Sequence, residues 1–517
     1  MKLPPPYDNG VKKTVCLVIP PSVFLLDERV FMSLGVLKVA AALEKAGWQV
    51  DLLDLSGIAN FEEVAALYAA SSPAVAFGIT ATTPQLPAAA KILRAMRGRR
   101  PESRFVLGGP HVTLVNAARK REAARGAPGR ATAAYDKLRG LFDVLVAGDG
   151  EEAVFAALEE NAPPFIDADE PRSPLFLSNE RLDVLPFPAR HLVDVASYRY
   201  EIDGLRALSL IAQLGCPFEC GFCGGRESPS LRRVRMRSTA SVVEEMRRMH
   251  RDLGVRGFML YDDELNVNLK MVELMEGIKA LQRELGVEFR LRGFVKSQLF
   301  TDEQARSMRE AGFRWILTGF ESGSPRILQN INKRATREEN TRALETARRH
   351  GLKVKALMSI GHPGESEETV RETRDWLMAA RPDDFDLTII TTYPGTPYYD
   401  RAVPEPGTPG LWVYTFEKTG DRLFSREVDY TEVAEYYKGD PDGGYQSYVH
   451  TDYLSEERLV ALRDEVEREV RSGLKIPFNP SRAAVRFEHS MGQPGALPRF
   501  ILGRTGAPEA IGESNSR

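Results

Sequence analysis

Leu214-Gly-Cys-Pro-Phe-Glu-Cys-Gly-Phe-Cys-Gly-Gly225 places three of the chain's four cysteines within eight positions. Four cysteines in 517 residues are too few for a disulfide framework, so thiols gathered this tightly point to a metal centre in a reducing compartment. Cys216, Cys220 and Cys223 offer three thiolates from one loop. A four-iron cluster held by three cysteines keeps one iron without a protein ligand, open to a chelating substrate. Structural zinc asks for a fourth Cys or His, and the next histidine, His250, lies far along the predicted helix that follows the loop. A catalytic cysteine asks for a base placed with it, and none is near. Cys16, alone in an apolar run, reads as an inert core thiol.

Downstream of the loop, apolar runs alternate with helical periodicity. Strands are expected at 206–213, 257–261, 288–293, 314–319, 353–360 and 386–391, with helices at 238–253, 269–285, 301–311, 336–350 and 366–380. Six such units predict a parallel, partial (β/α)6 barrel whose strand carboxyl ends carry the chemistry, the cysteine loop following the first strand. Upstream, 14–20, 48–55, 74–79, 104–107 and 143–147 read as five parallel strands separated by helices, of which 34–46 is the clearest. The fold class is therefore α/β, with residues 1–160 a Rossmann-like domain, 161–205 a proline-rich linker and 206–400 the barrel. Residues 401–517 read as a small mixed region with a charged helix at 455–471 and a disordered tail.

The 69 basic and 72 acidic residues nearly cancel, so no global field gathers nucleic acid or an anionic membrane. The basic stretch 115–140 lacks the interleaved aromatics that base stacking needs and reads as a solvated insertion. No stretch reaches the roughly 20 apolar residues of a membrane span. The apolar run at 15–26 is broken by Pro20 and Pro21 and has no cleavage pattern behind it. A cytoplasmic location and a small-molecule substrate are expected, with no nucleic-acid or membrane partner.

The CxxxCxxC spacing, with its flanking Cys-Pro and Gly-Phe-Cys-Gly, resembles the signature of the radical S-adenosylmethionine (SAM) superfamily. A doubly wound domain directly ahead of the barrel is similar to the cobalamin-binding arrangement of part of that family. The resemblance implies a [4Fe-4S] cluster on Cys216, Cys220 and Cys223, SAM on the open iron, and cobalamin on the first domain. It implies that Phe222 packs near the adenine, and that Asp263 or Glu264, in Tyr261-Asp-Asp-Glu-Leu-Asn-Val-Asn268, accepts hydrogen bonds from the SAM ammonium. Arg292 or Lys296 would face the SAM carboxylate or the cluster. Glu321 and Ser322 would touch the ribose and carboxylate, and the backbone of Ile360 and Gly361, in Ser359-Ile-Gly-His-Pro-Gly-Glu365, the adenine.

On the cobalamin side the resemblance points to three strand ends, where small residues and backbone amides admit a flat ring and a long tail. They carry Thr80, Thr82, Thr83 and Gln85; Gly108, Gly109, His111 and Val112; and Gly148, Gly150 and Glu151. The competing reading of the threonines and Gln85 is that each caps the following helix. The DxHxxG segment whose histidine ligates cobalt in many cobalamin enzymes is absent, with Asp51-Leu-Leu-Asp-Leu-Ser-Gly57 near its place, so no lower histidine ligand is expected.

The activity implied is radical methylation of an unactivated carbon in a small metabolite, initiated by a 5′-deoxyadenosyl radical and completed from methylcobalamin. A flavodoxin- or ferredoxin-type donor would supply the electron. Non-methylating cyclisation, rearrangement or oxidation is the runner-up, and a cobalamin-sensing or scaffold protein with a structural cluster is a third reading. Methylthiotransfer is disfavoured, because the first domain has Cys16 alone. The substrate and the individual catalytic residues are not legible; Phe487-Glu-His-Ser-Met-Gly-Gln493 is one candidate for the pocket wall.

Overall fold

The computed structural model describes residues 7–8, 11–22, 28–58, 60–126, 128–433 and 446–477; the expected tail and the 487–493 segment lie outside them. Two parallel sheets organise the chain. The first holds β1 (Thr14–Ile19), β2 (Gln49–Asp54), β3 (Ala74–Thr80), β4 (Arg104–Gly108), β5 (Val144–Gly148) and β6 (Phe165–Ala168), in the order β2-β1-β3-β4-β5-β6. All six positions of β1 are buried, as a central strand covered on both faces requires. Val15, Leu17 and Ile19 pack with helices α1 (Leu34–Lys45) and α6 (Gly150–Ala157), whereas Cys16 and Val18 face α2 (Phe61–Ser71), α3 (Leu86–Arg97), α4 (Pro110–Ala124) and α5 (Arg130–Leu141).

Two expectations are corrected here. The stretch read as a proline-rich connection contributes a sixth strand, β6, which pairs with β5 from Leu145↔Phe165 to Gly148↔Ala168. The stretch read as a solvated insertion is the end of α4 plus α5, and its arginines are used internally. Arg130 is buried, donates to the Tyr399 carbonyl oxygen (2.7 Å), and stacks on Tyr399 and Trp412 at 3.5 and 4.3 Å.

The second sheet runs β13-β12-β11-β10-β9-β8-β7, formed by β7 (Glu201–Ile202), β8 (Leu205–Leu210), β9 (Gly257–Leu260), β10 (Arg290–Phe294), β11 (Phe313–Glu321), β12 (Lys353–Ile360) and β13 (Asp384–Ile389). β7 is an antiparallel edge and the other six strands are parallel, the expected half-barrel. Its outer face is covered by α7 (Thr239–Leu253), α8 (Met271–Leu285), α9 (Asp302–Glu310), α10 (Arg337–Arg349) and α11 (Glu367–Ala380). Four of these five helices start where a Ser or Thr side chain (Ser238, Thr301, Thr336, Ser366) accepts from an orphan amide of the first turn.

Beyond the barrel, β14 (Val403–Pro404), β15 (Leu411–Phe416), β16 (Asp421–Arg426) and β17 (Val449–Thr451) form a small antiparallel sheet. The last helix among the described residues, α12 (Glu456–Leu474), covers the edge strand β13. There Glu467 accepts from the Leu387 amide (2.9 Å), while Arg463 and Arg471 donate to the carbonyls of Leu387 and Phe385 (2.9 and 2.6 Å), which closes an otherwise open edge.

Candidate functional site

The cysteine loop leaves β8 through Ala212 and Gln213, whose amides both donate to Asp262 Oδ1 (2.7 and 2.9 Å). Two residues on, the Gly215 amide donates to Asp263 Oδ2 (3.0 Å). Gly215 has φ +85°, and a Cβ there would lie 2.2 Å from the Arg233 carbonyl oxygen, so the turn needs glycine. Arg226, 3% exposed, crosses behind the loop and donates to the carbonyls of Cys216 (2.6 Å), Phe218 (3.3 Å) and Gly224 (3.2 Å). The loop is thus anchored through its backbone, and its three thiols stay free of disulfides.

Burial pushes the Cys223 thiol up to about 12 and raises Cys216, and the Arg226 guanidinium pulls both back. Buried thiols of this kind lose their protons to a metal rather than to water, with Arg226 as the counter-charge already in place. Among the described residues no three His, Cys, Asp or Glu side chains close on one metal ion.

Tyr398 closes the loop from behind: its amide donates to the Gly221 carbonyl (2.9 Å), and a Cβ on Gly221 would sit 2.1 Å from its ring. Gly221→Ala is therefore expected to destabilise the protein by about 1–3 kcal/mol through overpacking and to lower iron incorporation. Iron content and thermal unfolding measure this, and an alanine variant with full iron and an unchanged transition would contradict it.

The acidic segment after β9 divides its work. Asp262 and Asp263 each hold the loop through one oxygen, whereas Glu264 takes no loop amide; Asp262 Oδ2 and Glu264 Oε2 are both buried without partners. Burial raises the Glu264 carboxyl to about 7 against the opposing charges of Lys333 and Lys296. Lys296 is 2% exposed, lies 4.0 Å from the Phe218 ring and donates to the Lys333 carbonyl (3.1 Å), which puts it beside the loop. Arg292 points elsewhere, to the Tyr200 hydroxyl (3.3 Å) and the Trp315 ring.

Glu321 stands at a bulge of β11 with φ +65°, a conformation that costs a non-glycine residue energy. There it accepts from Lys333 Nζ (3.0 Å) and Ser359 Oγ (3.0 Å). Ser359 in turn meets His362 Nε2 (2.9 Å), and the His362 ring packs edge-on to Phe222 with centroids 5.3 Å apart. Burial and Lys333 push His362 down to about 3, so the ring is neutral. Arg226, Lys333, His362 and Tyr398 were not singled out in the sequence; only His362 fell within a quoted motif.

Several of the residues expected to contact SAM or cobalamin are engaged by the protein itself. Ser322 turns away from the loop and bonds Thr373 on α11 (2.9 Å). Ile360 lies in the barrel core with its carbonyl taken by the Ile390 amide, and the Gly361 amide is bonded to Glu365. In the first domain Thr82 and Gln85 form a capping box, the competing reading, and Gln85 also donates to the Pro20 carbonyl across the β1/β3 crevice (2.8 Å). His111 is buried against Thr83 (3.0 Å) and held near 4, and Val112 is core. A Cβ on Gly109 would strike Thr80 Oγ1 at 2.6 Å, and one on Gly148 the Ala168 carbonyl carbon at 2.4 Å, so these glycines admit the protein's own backbone and side chains. On Gly150 a Cβ would press on Val39 at 3.0 Å, whereas on Gly108 it would meet nothing nearer than 4.0 Å.

Glu151 does reach a cleft between the two sheets, together with Gly35, Lys38, Gln213 and Arg235. Gln213 Oε1 and Arg235 Nε are buried there without partners, and a Cβ on Gly35 would meet nothing within 4 Å. Unspent donors and acceptors beside an open glycine suit a polar ligand group, although the cleft, of about 90 Å³, holds only part of a group as large as a corrin.

Residues 210–377 match the model of the Radical SAM superfamily, and residues 28–139 that of the B12 binding domain. An uncharacterized methyltransferase of Pyrococcus horikoshii is 28% identical over 77% of this chain and 82% of its own length. The anaerobic magnesium-protoporphyrin IX monomethyl ester cyclase of Cereibacter sphaeroides is 26% identical over 70% of this chain and 59% of its own. The solved radical SAM methyltransferase TsrM of Kitasatospora setae, with cobalamin and [4Fe-4S] cluster bound, shares the fold, with a TM-score of 0.58 at 18% identity over 98% of this chain and 93% of that one. With a B12-binding domain ahead of a radical SAM domain, the chain belongs to the cobalamin-binding branch of the radical SAM superfamily.

Proposed function

We propose that the chain methylates an unactivated carbon of a small molecule. The observation that carries this reading is the shared cleft: Gln213 and Leu214, which lead into the cysteine loop, line it together with Gly35, Lys38 and Glu151 of the first domain. Hydrogen removal and methyl delivery must reach the same carbon, and this cleft is lined from both domains. When bound, the cluster supplies the electron that splits SAM, and cobalamin carries the methyl group.

The protein's own share is to bind and orient. In this reading Cys216, Cys220 and Cys223 hold the cluster, Glu264 accepts from the SAM ammonium, and Lys296 and Lys333 balance the charge around it. Phe222, braced by His362, forms a flat wall for the adenine. A flavodoxin- or ferredoxin-type donor in the cytoplasm completes the reading; among the described residues no helix is long and apolar enough to cross a membrane.

Anaerobic protein with a full cluster, SAM and reductant is expected to release 5′-deoxyadenosine and to pass labelled methyl from SAM to added cob(I)alamin. Absence of both products would sink the proposal. The cyclase relative favours a second reading, in which 5′-deoxyadenosine forms without methyl transfer.

A pH test addresses Glu264 separately. Its carboxyl is raised to about 7 by burial, and only the ionised form attracts an ammonium, so SAM affinity is expected to rise as pH rises through that value. Glu264→Gln should flatten the rise and weaken binding about tenfold, the scale of one lost charge-assisted hydrogen bond. Equilibrium binding of SAM between pH 6 and 8 would read both effects, and an unaltered profile in the variant would remove Glu264 from the site.

A further inference from the structure

We infer that an acidic one-electron carrier protein docks in a cationic groove beside the cysteine loop; this rests on the cluster reading above and gives that reading its electron inlet. The groove, of about 460 Å³, is bounded by Pro217, Arg226, Glu227, Arg232 and Arg233. Pro217 is exposed and adjoins Cys216 in the chain, and Arg226 donates to the Cys216 carbonyl, so a partner seated here lies one residue from a thiol.

The charge around the groove is unbalanced in one direction. Glu219 is shared by Arg232 and Arg334, and Glu227 by Arg121 (2.9 Å) and Arg401 (3.8 Å). Arg233 is exposed and makes no ion pair among the described residues; its guanidinium faces the Phe176 ring at 6.0 Å. Asp400, the next acid, lies buried beneath Arg121. Four guanidiniums at the surface and the half-buried Arg121 thus meet three carboxylates, Glu219, Glu227 and the buried Asp400, on a chain whose net charge is −3. A local cationic field on a chain whose charges otherwise nearly cancel selects a negatively charged partner and orients its approach.

The contact is of the kind electron carriers use: open, polar and brief. One electron leaves the reduced carrier, which is oxidised by one, and enters the cluster, which is reduced by one; no bond is made or broken.

The test uses cluster-loaded, oxygen-free protein and reduced flavodoxin, with bleaching of the cluster absorbance followed by stopped flow. Arg233→Glu/Arg401→Glu is expected to slow reduction at least about tenfold at low ionic strength, the gap closing as salt rises. Reduction by methyl viologen radical, a small cation, should not slow. Arg283→Glu/Arg306→Glu, the same charge change on α8 and α9, should leave the flavodoxin rate unchanged. Equal flavodoxin rates for the groove variant and the parent, or equal slowing in the α8/α9 variant, would overturn the inference. Failure of the cluster reading would be distinct: viologen would find no iron-sulfur band to bleach.

Discussion

Replacing Cys220 by alanine is expected to abolish SAM cleavage while leaving the protein folded. Cys220 is 8% exposed and its thiol carries no hydrogen bond that the fold depends on, so the deletion removes one small side chain from the loop, at a cost of roughly 1 kcal/mol. The loop backbone keeps its bonds to Asp262, Arg226 and Ile331. Only a cluster corner is lost, and with it stable iron and the release of 5′-deoxyadenosine. Cys16→Ala is the matched control: its thiol is wholly buried in β1 and pushed up to about 12, so iron and activity should survive its removal. A Cys220→Ala protein that keeps four irons and still cleaves SAM would end the cluster assignment.

Asp149→Ala is expected to give the largest loss of stability, about 3–5 kcal/mol, because it strands a buried guanidinium. Asp149 follows β5 in the first domain; Arg235 follows the cysteine loop in the second. They form a two-pronged pair at 2.5 and 3.0 Å, with side chains 9% and 4% exposed. Asp149 also accepts from the Leu177 amide (3.0 Å), so the pair pins the connecting segment between the sheets. Denaturant unfolding should show the loss, and cobalamin retention should fall with it, since the pair borders the cleft. Asp149→Ala/Arg235→Met should recover much of the stability, because an apolar pair leaves no buried charge behind. A loss below about 1 kcal/mol in the single variant would show that water reaches the guanidinium and that the pair is not the staple it looks to be.

Legibility followed the range of the signal. The barrel helices were readable to within two residues because amphipathic periodicity and Ser or Thr caps are written in consecutive positions. β6 was not, since four residues behind Pro163 and Pro164 become a strand only by pairing with β5. Arg130 looked solvated for a similar reason: its stacking partners, Tyr399 and Trp412, lie more than 250 positions away.

Within the site, Asp263 and Glu264 are chemically alike and adjacent, and the difference between them is direction. The turn after β9 aims one at the Gly215 amide and leaves the other an unspent oxygen. Arg292 and Lys296 separate in the same way, one toward Tyr200 and the other toward the loop. Gly109 and Gly148 were legible as places that tolerate no side chain, but what presses on them is the neighbouring strand end.

By itself, then, the order of residues determined the cysteine loop, the two βα series and the kind of chemistry they host, because thiol spacing and hydrophobic period are local properties that survive without a partner. Only the tertiary structure decided which carboxylates take up the loop amides, which cation stands by the thiols, and that Gln213 and Glu151 line one cleft. Those facts are set by burial and by hydrogen bonds between segments far apart in sequence, whose energies exist only once the segments meet.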